Sequence, residues 1–373
     1  MQQYAQIPTL RHRIIHASAW WRWLTASAQQ RSFAGPLTPH RIQQAVLADI
    51  PALDCVVLNK CPAIPVAPAK AGPWSSWGSA AQQALHLPQQ FLAGRLDRET
   101  SGVLLIPRSA LATRIMHCAK PWFTRQYLAI MHGQLHSAAA VSASIGRLGA
   151  PGRLHCLMST QPDNPDAAKP AHTEFTPLLS NERFTLALAT LQHGRQHQVR
   201  VHAAHIGHPL VGDKLYGPGG GDAAFLRFVA GELTKRDVEA LMLPHHALHA
   251  ARWQVRIPPR AAWRTLPSRA ARRARAGAAG AAGAAGAAGA VLGTEAHVAE
   301  LDGRTQAALQ QWLDAAMGTS WHATGAGADI WAPLPHDMQE FLEQEFGSSA
   351  CHAALSVLSA ADPHTAVCGH DRD

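Results

Sequence analysis

The chain has 373 residues, 47% of them hydrophobic, and 33 Lys and Arg against 25 Asp and Glu give a net charge of +8. That is ample apolar material for a sizeable core, and the basic balance suits a polyanionic partner. No apolar run approaches the roughly 18 residues of a membrane span. The six cysteines form no C-x-x-C pair, so they read as reduced, intracellular thiols rather than a disulfide or zinc framework.

Residues 1–48 contain no acid, and Arg11, Arg13, Arg22, Arg31 and Arg41 stand among serines. Organellar transit peptides have this composition. Read as a plain basic arm, the stretch leaves the cytoplasm as the expected location; read as a transit peptide, it makes mitochondrion or chloroplast the alternative. The core is expected to begin at Leu53, where Asp54 to Lys60 form a strand pattern and Cys61-Pro62-Ala63 a proline-bearing exit.

Gly94-Arg95-Leu96-Asp97-Arg98-Glu99-Thr100-Ser101-Gly102 then leads into the apolar run Val103 to Ile106, a buried strand after a tight turn at Thr100-Ser101-Gly102. An Asp at such a loop edge can be presented to a ligand. Ala110 to Lys120 has helical spacing and stops at Pro121. Thr124 to Gly133 is strand-like and carries Tyr127.

A polar loop from Gly146 to Pro170 precedes two antiparallel strands, Ala171 to Phe175 and Phe184 to Thr190. They enter Gly194-Arg195-Gln196-His197-Gln198-Val199-Arg200-Val201-His202, a helix start rich in arginine and histidine that runs on to Gly207-His208-Pro209-Leu210-Val211-Gly212-Asp213-Lys214-Leu215-Tyr216-Gly217. A single mixed-charge helix is expected from about Ala223 to Leu241, then a strand at Trp253 to Ile257. From Arg260 the composition turns to arginine and then to Gly-Ala-Ala triplets, which cannot build a packed core. Asp329 to Pro335 and the helix-like Asp337 to Phe346 follow.

Arg-Leu-Asp-x-x-Thr-Ser-Gly followed by Gly-Arg-x-His-Gln-Val-Arg-Val-His and Gly-His-Pro-Leu-Val-Gly-Asp-x-Leu-Tyr-Gly resembles the RluA family of RNA pseudouridine synthases. Two departures stand out: relatives usually have Pro-x-Gly at Cys61-Pro62-Ala63, and His at Gly94. The resemblance implies an α+β pseudouridine synthase fold, a mixed, largely antiparallel sheet with flanking helices and a central active-site cleft. It divides the chain into a basic extension (1–48), a catalytic domain (49–259), a low-complexity insertion looped out between adjacent strands (260–327), the end of the catalytic domain (328–347) and a loose tail (348–373).

The implied reaction cleaves the glycosidic bond of an RNA uridine, turns the uracil and joins its C5 to C1′. It is an isomerisation, so no cofactor and no metal are expected. Asp97 is the implied catalytic carboxylate, Arg200 the arginine that pairs with it, and Tyr127 stacks on the base or handles the C5 proton. Arg95, Lys60 and Arg195 are the implied phosphate or ribose contacts. The expected partner is RNA, ribosomal or transfer, with no membrane and a monomeric chain.

Three rivals are weighed against this. His202, His205 and His208 invite a metal reading, as do His245, His246 and His249, but ligands must converge on one ion, and the i, i+3, i+6 spacing of the first set spreads over too wide an arc. A glycosidase wants two carboxylates, and the motifs supply one. The alternative from another class is a non-catalytic RNA-binding protein of the same fold.

Overall fold

The structure is a computed structural model, and it describes residues 37–67, 75–119, 123–148, 156–191, 194–218, 220–255 and 329–359. The first 36 residues of the basic extension, the whole of the low-complexity insertion (260–327) and residues 360–373 of the tail lie outside them. In chain order the larger elements are α1 (Pro39–Gln44), β1 (Val46–Ile50), β2 (Cys55–Lys60), α2 (Trp77–Ala84), β3 (Ser101–Pro107), α3 (Ala110–Ala119) and β4 (Phe123–His132). There follow β5 (Ala139–Ser142), the short pair β6 (Gly146–Arg147) and β7 (Met158–Ser159), β8 (His172–Ser180), β9 (Phe184–Leu191) and α4 (Gln198–His205). The last are α5 (Asp222–Ala230), α6 (Lys235–Leu241), β10 (Leu248–Val255), β11 (Asp329–Trp331), α7 (His336–Phe346) and α8 (Ser348–Ser359).

The main sheet runs β1-β2-β3-β10-β4-β9-β8-β5, with β11 on β10. Every pairing in it is antiparallel except β3 with β10. This is the mixed, largely antiparallel α+β sheet expected from the sequence. The two-residue period of the strands explains why both faces are covered. Cys55, Val57, Val103 and Leu105 pack one way with Ile115 and Met116 of α3, while Val56, Leu58, Leu104 and Ile106 pack the other way with Ile42 of α1 and Trp77 of α2.

The other half of the sheet repeats the arrangement. Tyr127, Ala129 and Met131 join Val199 and Ala203 of α4 on one face; Leu128 and Ile130 join Met338, Leu342 and Cys351 of α7 and α8 on the other. Cys351 thus belongs to the core, so the tail expected from residue 348 is helical and packed as far as its described part goes. Its Ser, Ala and Leu composition carries no strong start signal, and the burial comes from tertiary contact.

Three further boundaries differ from the sequence expectation. The sheet starts at Val46, ahead of Leu53, because β1 pairs with β2. The single helix expected over 223–241 is two, broken at Gly231, whose φ of 80° caps α5 in the left-handed region. A Thr234–Asp237 capping box then starts α6. The turn before β3 is Asp97 to Thr100, closed by Thr100 N–H donating to Asp97 C=O at 3.1 Å, and the strand already begins at Ser101.

Gly102 explains the parallel contact at the centre of the sheet. Its φ is 104°, and a Cβ there would lie 2.2 Å from the Ala250 carbonyl oxygen. Only glycine lets β3 come this close to β10. Gly102, Ala250 and Tyr127 share one rung across the three central strands. That rung brings the start of β3, and the turn carrying Asp97, level with Tyr127.

Candidate active site

The turn carrying Asp97 is fixed from below. Lys60, at the end of β2, is fully buried, and its ammonium donates to the carbonyls of Cys61 (2.9 Å), Arg98 (2.9 Å) and Thr100 (2.7 Å). Burial brings that ammonium down to about 7. Three carbonyls use all three N–H donors of a lysine, so Lys60 does not reach outward as a substrate contact. The sequence expectation is corrected: Lys60 holds the loop on which Asp97 sits.

A second buried lysine holds the same loop from another side. Lys214 Nζ donates to the Glu99 carboxylate at 3.0 Å and to Pro244 C=O at 2.7 Å. Thr100 Oγ1 lies 2.8 Å from His246 Nε2. Burial favours a neutral Glu99, but the Lys214 ammonium outweighs it and keeps the carboxyl well below the usual range. Asp97 is therefore flanked in sequence by residues anchored into the core.

The Asp97 carboxylate faces the start of α4. Arg200 Nη1 donates to Asp97 Oδ2 at 3.0 Å. The two-pronged side of the same guanidinium goes to Asp213: Nε to Oδ2 at 2.7 Å and Nη2 to Oδ1 at 2.8 Å. Asp213 is itself fully buried and accepts from the Leu215 and Tyr216 N–H groups. The Arg200 guanidinium also lies over the Tyr216 ring, 5.0 Å from its centroid. Among the described residues, no hydrogen bond falls on Asp97 Oδ1.

The electrostatics follow from this geometry. Burial alone would raise Asp97, but His197, which is charged only in acid, and the permanently charged Arg200 bring it below its ordinary value, so it is ionised at neutral pH. Burial favours a neutral Asp213, yet Arg200 holds it far into the acid range. Burial opposes the Arg200 charge, and Asp213 and Asp97 restore it with interest. Burial and the nearby Asp97 charge both push the Tyr127 phenol up, only partly offset by Arg125. Tyr127 is thus a neutral phenol, which suits stacking or hydrogen donation and disfavours service as a base at neutral pH.

Arg95 is exposed and Arg195 half-buried. Arg195 Nε donates to Pro170 C=O at 3.0 Å. Arg95 makes no side-chain hydrogen bond or ion pair among the described residues. At Gly94, where the family has His, a Cβ would meet nothing within 4 Å. The histidines that suggested metal triads serve as scaffold: His202 lies 2.9 Å from Thr173 Oγ1, His245 2.6 Å from Asp337 and His249 2.9 Å from Ser101 Oγ. Among the described residues, no group of three ligating side chains converges as a metal would require, and no helix is long and apolar enough to cross a membrane.

The structure brings Asp97 and Arg200 together and sets Tyr127 on the same face of the sheet. Sequence reasoning missed Asp213, Glu99, Lys214 and Tyr216 as members of the arrangement. Asp213 and Tyr216 were in view within Gly-Asp-x-Leu-Tyr-Gly, where adjacent charges at Asp213 and Lys214 between apolar residues were the available signal.

The family pattern described as RNA pseudouridylate synthase matches residues 54–205, a span that holds Asp97, Tyr127 and Arg200. The mixed, mostly antiparallel sheet with its flanking helices is the architecture expected of a pseudouridine synthase. Over part of its length the chain is similar to RluA-type pseudouridine synthases. It is similar to the ribosomal large subunit pseudouridine synthase D of Nitrosomonas europaea, 32% identical over 179 residues, covering 48% of this chain and 46% of the relative. The protein of the same description from Yersinia pestis is 30% identical over 204 residues, covering 51% of this chain and 59% of the relative. The chain thus spans about half the length of the curated relatives it matches. Among solved structures, human RNA Pseudouridylate Synthase Domain Containing 4 aligns with TM-score 0.45 and 21% identity over 60% of this chain and 91% of that one. Human RNA Pseudouridylate Synthase Domain Containing 1 aligns with TM-score 0.42 and 25% identity, over 56% and 77%.

Proposed function

We propose that the protein is an RNA pseudouridine synthase that isomerises specific uridines, with ribosomal RNA as the first substrate to test and transfer RNA as the second. The observation that carries this reading is the division of labour at Asp97. Oδ2 is held by Arg200 while Oδ1 has no partner among the described residues, so an ionised carboxylate is presented with one oxygen to meet a ribose. The names of the curated relatives favour ribosomal RNA.

Asp97 either attacks C1′ or takes the C2′ proton in a glycal-type route. Arg200 fixes the carboxylate and keeps it ionised, and Tyr127 stacks on the uracil as a neutral phenol. A target uridine within a helix or a stacked loop is flipped out first, at a cost of a few kcal/mol. Arg95 and Arg195, which border the motifs outside the buried network, contact phosphate or ribose.

The test is pseudouridine mapping, by carbodiimide-blocked primer extension, of ribosomal and transfer RNA from cells lacking the protein. A site that disappears, returns with the wild-type chain and does not return with Asp97→Ala is the expected result. No lost site, together with RNA binding by the purified protein, would favour the non-catalytic reading instead.

A further inference from the structure

His197 turns a ring nitrogen towards Asp97 from a backbone conformation that ordinarily favours glycine. It is the residue before α4, with φ 56° and ψ 18°, a left-handed conformation that is strained for a side chain other than glycine. Its side chain makes no capping bond to the helix. Instead the ring is turned inward, its side chain only 10% exposed, with Nδ1 2.8 Å from Tyr216 Oη and Nε2 3.9 Å from Asp97 Oδ2.

The hydrogen bonds fix which ring nitrogen carries the proton. Met158 N–H donates to Tyr216 Oη at 3.0 Å. The arrangement that leaves no phenolic hydrogen idle has the Tyr216 O–H donating to His197 Nδ1. His197 Nδ1 is then the acceptor, and the single ring proton sits on Nε2, facing Asp97. Burial and the neighbouring Arg200 charge depress the ring to about 4, so it is neutral at physiological pH. At 3.9 Å, Nε2 and Asp97 Oδ2 are too far apart to bond to each other. A substrate oxygen beside Asp97 is within reach of both.

Resting on the pseudouridine synthase reading, we propose that His197 donates a hydrogen bond from Nε2 to an oxygen of the target nucleotide, and that Tyr216 is the positioning residue that locks the ring in the donating tautomer. A neutral, preset donor of this kind is suited to an oxygen that gains charge as the glycosidic bond breaks.

The experiment uses the purified full chain in excess over total RNA labelled with [5-³H]uridine, because forming the C5–C1′ bond releases the C5 hydrogen. Four variants are compared with wild type. His197→Gly removes the imidazole and places glycine where φ is positive, so the fold is kept or stabilised. His197→Gln restores a side-chain donor, Tyr216→Phe keeps the ring over Arg200 but loses the hydroxyl, and Asp97→Asn is the inactive control. His197→Gly is expected to slow single-turnover release by about 100-fold with melting temperature unchanged or higher and half-saturating enzyme concentration unchanged. Gln is expected to recover part of the rate, and Tyr216→Phe to fall between.

A second readout does not depend on activity. Nitrogen-15 spectra of histidine-labelled protein, with His197 assigned by its absence in His197→Gly, are expected to show the Nε2-protonated tautomer in wild type and a mixture in Tyr216→Phe. Wild-type release with undiminished rates in His197→Gly, or an Nδ1-protonated ring in wild type, overturns this inference alone. No release by wild type overturns the synthase reading and this inference with it.

Discussion

Arg200 gives the paired nitrogens of its guanidinium to Asp213 and a single nitrogen to Asp97. The carboxylate that anchors the arginine is therefore a different one from Asp97, the carboxylate proposed to meet substrate. Asp213 supplies a fixed, buried countercharge, and Asp97 can exchange its one bond during a reaction while Arg200 stays in place. Arginine suits this arrangement better than lysine, because only the planar fork addresses two carboxylates in set directions.

Asp213→Ala should therefore be as damaging as loss of the presented carboxylate, and for another reason. It strands the buried Arg200 charge and removes the acceptor for the Leu215 and Tyr216 N–H groups. A loss of about 3 to 5 kcal/mol in denaturant unfolding is expected, with activity abolished. Asp97→Asn leaves the Arg200–Asp213 pair intact, so it should abolish activity while moving stability by less than about 1 kcal/mol.

Lys60→Met should disturb the site although Lys60 does not face the substrate. Three carbonyls lose their donor, each at roughly 1 to 3 kcal/mol when left unsatisfied, and two of them belong to the turn that carries Asp97. Chemical denaturation should report the loss, and the surviving folded fraction should show a reduced turnover rate at unchanged RNA affinity in filter binding.

Ala63 stands where the family has glycine, and its φ is 71°. A left-handed alanine costs about 1 to 2 kcal/mol, partly offset because glycine loosens the unfolded chain. Ala63→Gly should raise the unfolding free energy by about 0.5 to 1 kcal/mol, and a neutral or negative change would contradict the strain. Gly102→Ala should do the opposite, because its Cβ meets the Ala250 carbonyl at 2.2 Å; a loss of about 3 kcal/mol or more is expected, read as insoluble or unfolded protein.

Acid should destabilise the fold well above the carboxylate range. Burial depresses His132, His197 and His249 to about 4 from the ordinary 6.5. Between those values the unfolded chain binds protons that the folded chain does not, so stability is complete above pH 6.5 and declines as pH falls towards 4. Each histidine contributes a slope of up to about 1.4 kcal/mol per pH unit in that window. Urea midpoints measured from pH 7.5 to 4.5 check this, and a flat profile would contradict it.

What the sequence disclosed and what it hid divide along a physical line. Asp97, Arg200 and Tyr127 sit in contiguous runs whose pattern is local, and the alternation in β8 and β9 is local too. Lys60 was misjudged because a lysine at a strand end ordinarily points to water, and only the turn folded over it makes it a core residue. Asp213 was hidden for a similar reason: its partner lies on the preceding helix, and nothing in the intervening residues states which of two carboxylates takes the fork. The packed helix after Ser348 depends on a hydrophobic face completed by β4, β9 and α7, which no window of sequence contains.

Consider finally the hairpin of β10 and β11, in which Arg252 pairs with Trp331 and Gln254 with Asp329 across the connection 256–328. The terminal piece is also fastened by His249 to the Ala332 carbonyl, by His245 to Asp337 and by Arg183 to Glu345. None of these fastenings passes along the connecting chain. A cut within the connection leaves all of these fastenings in place, so a nicked sample is expected to run still as a single particle on a gel-filtration column.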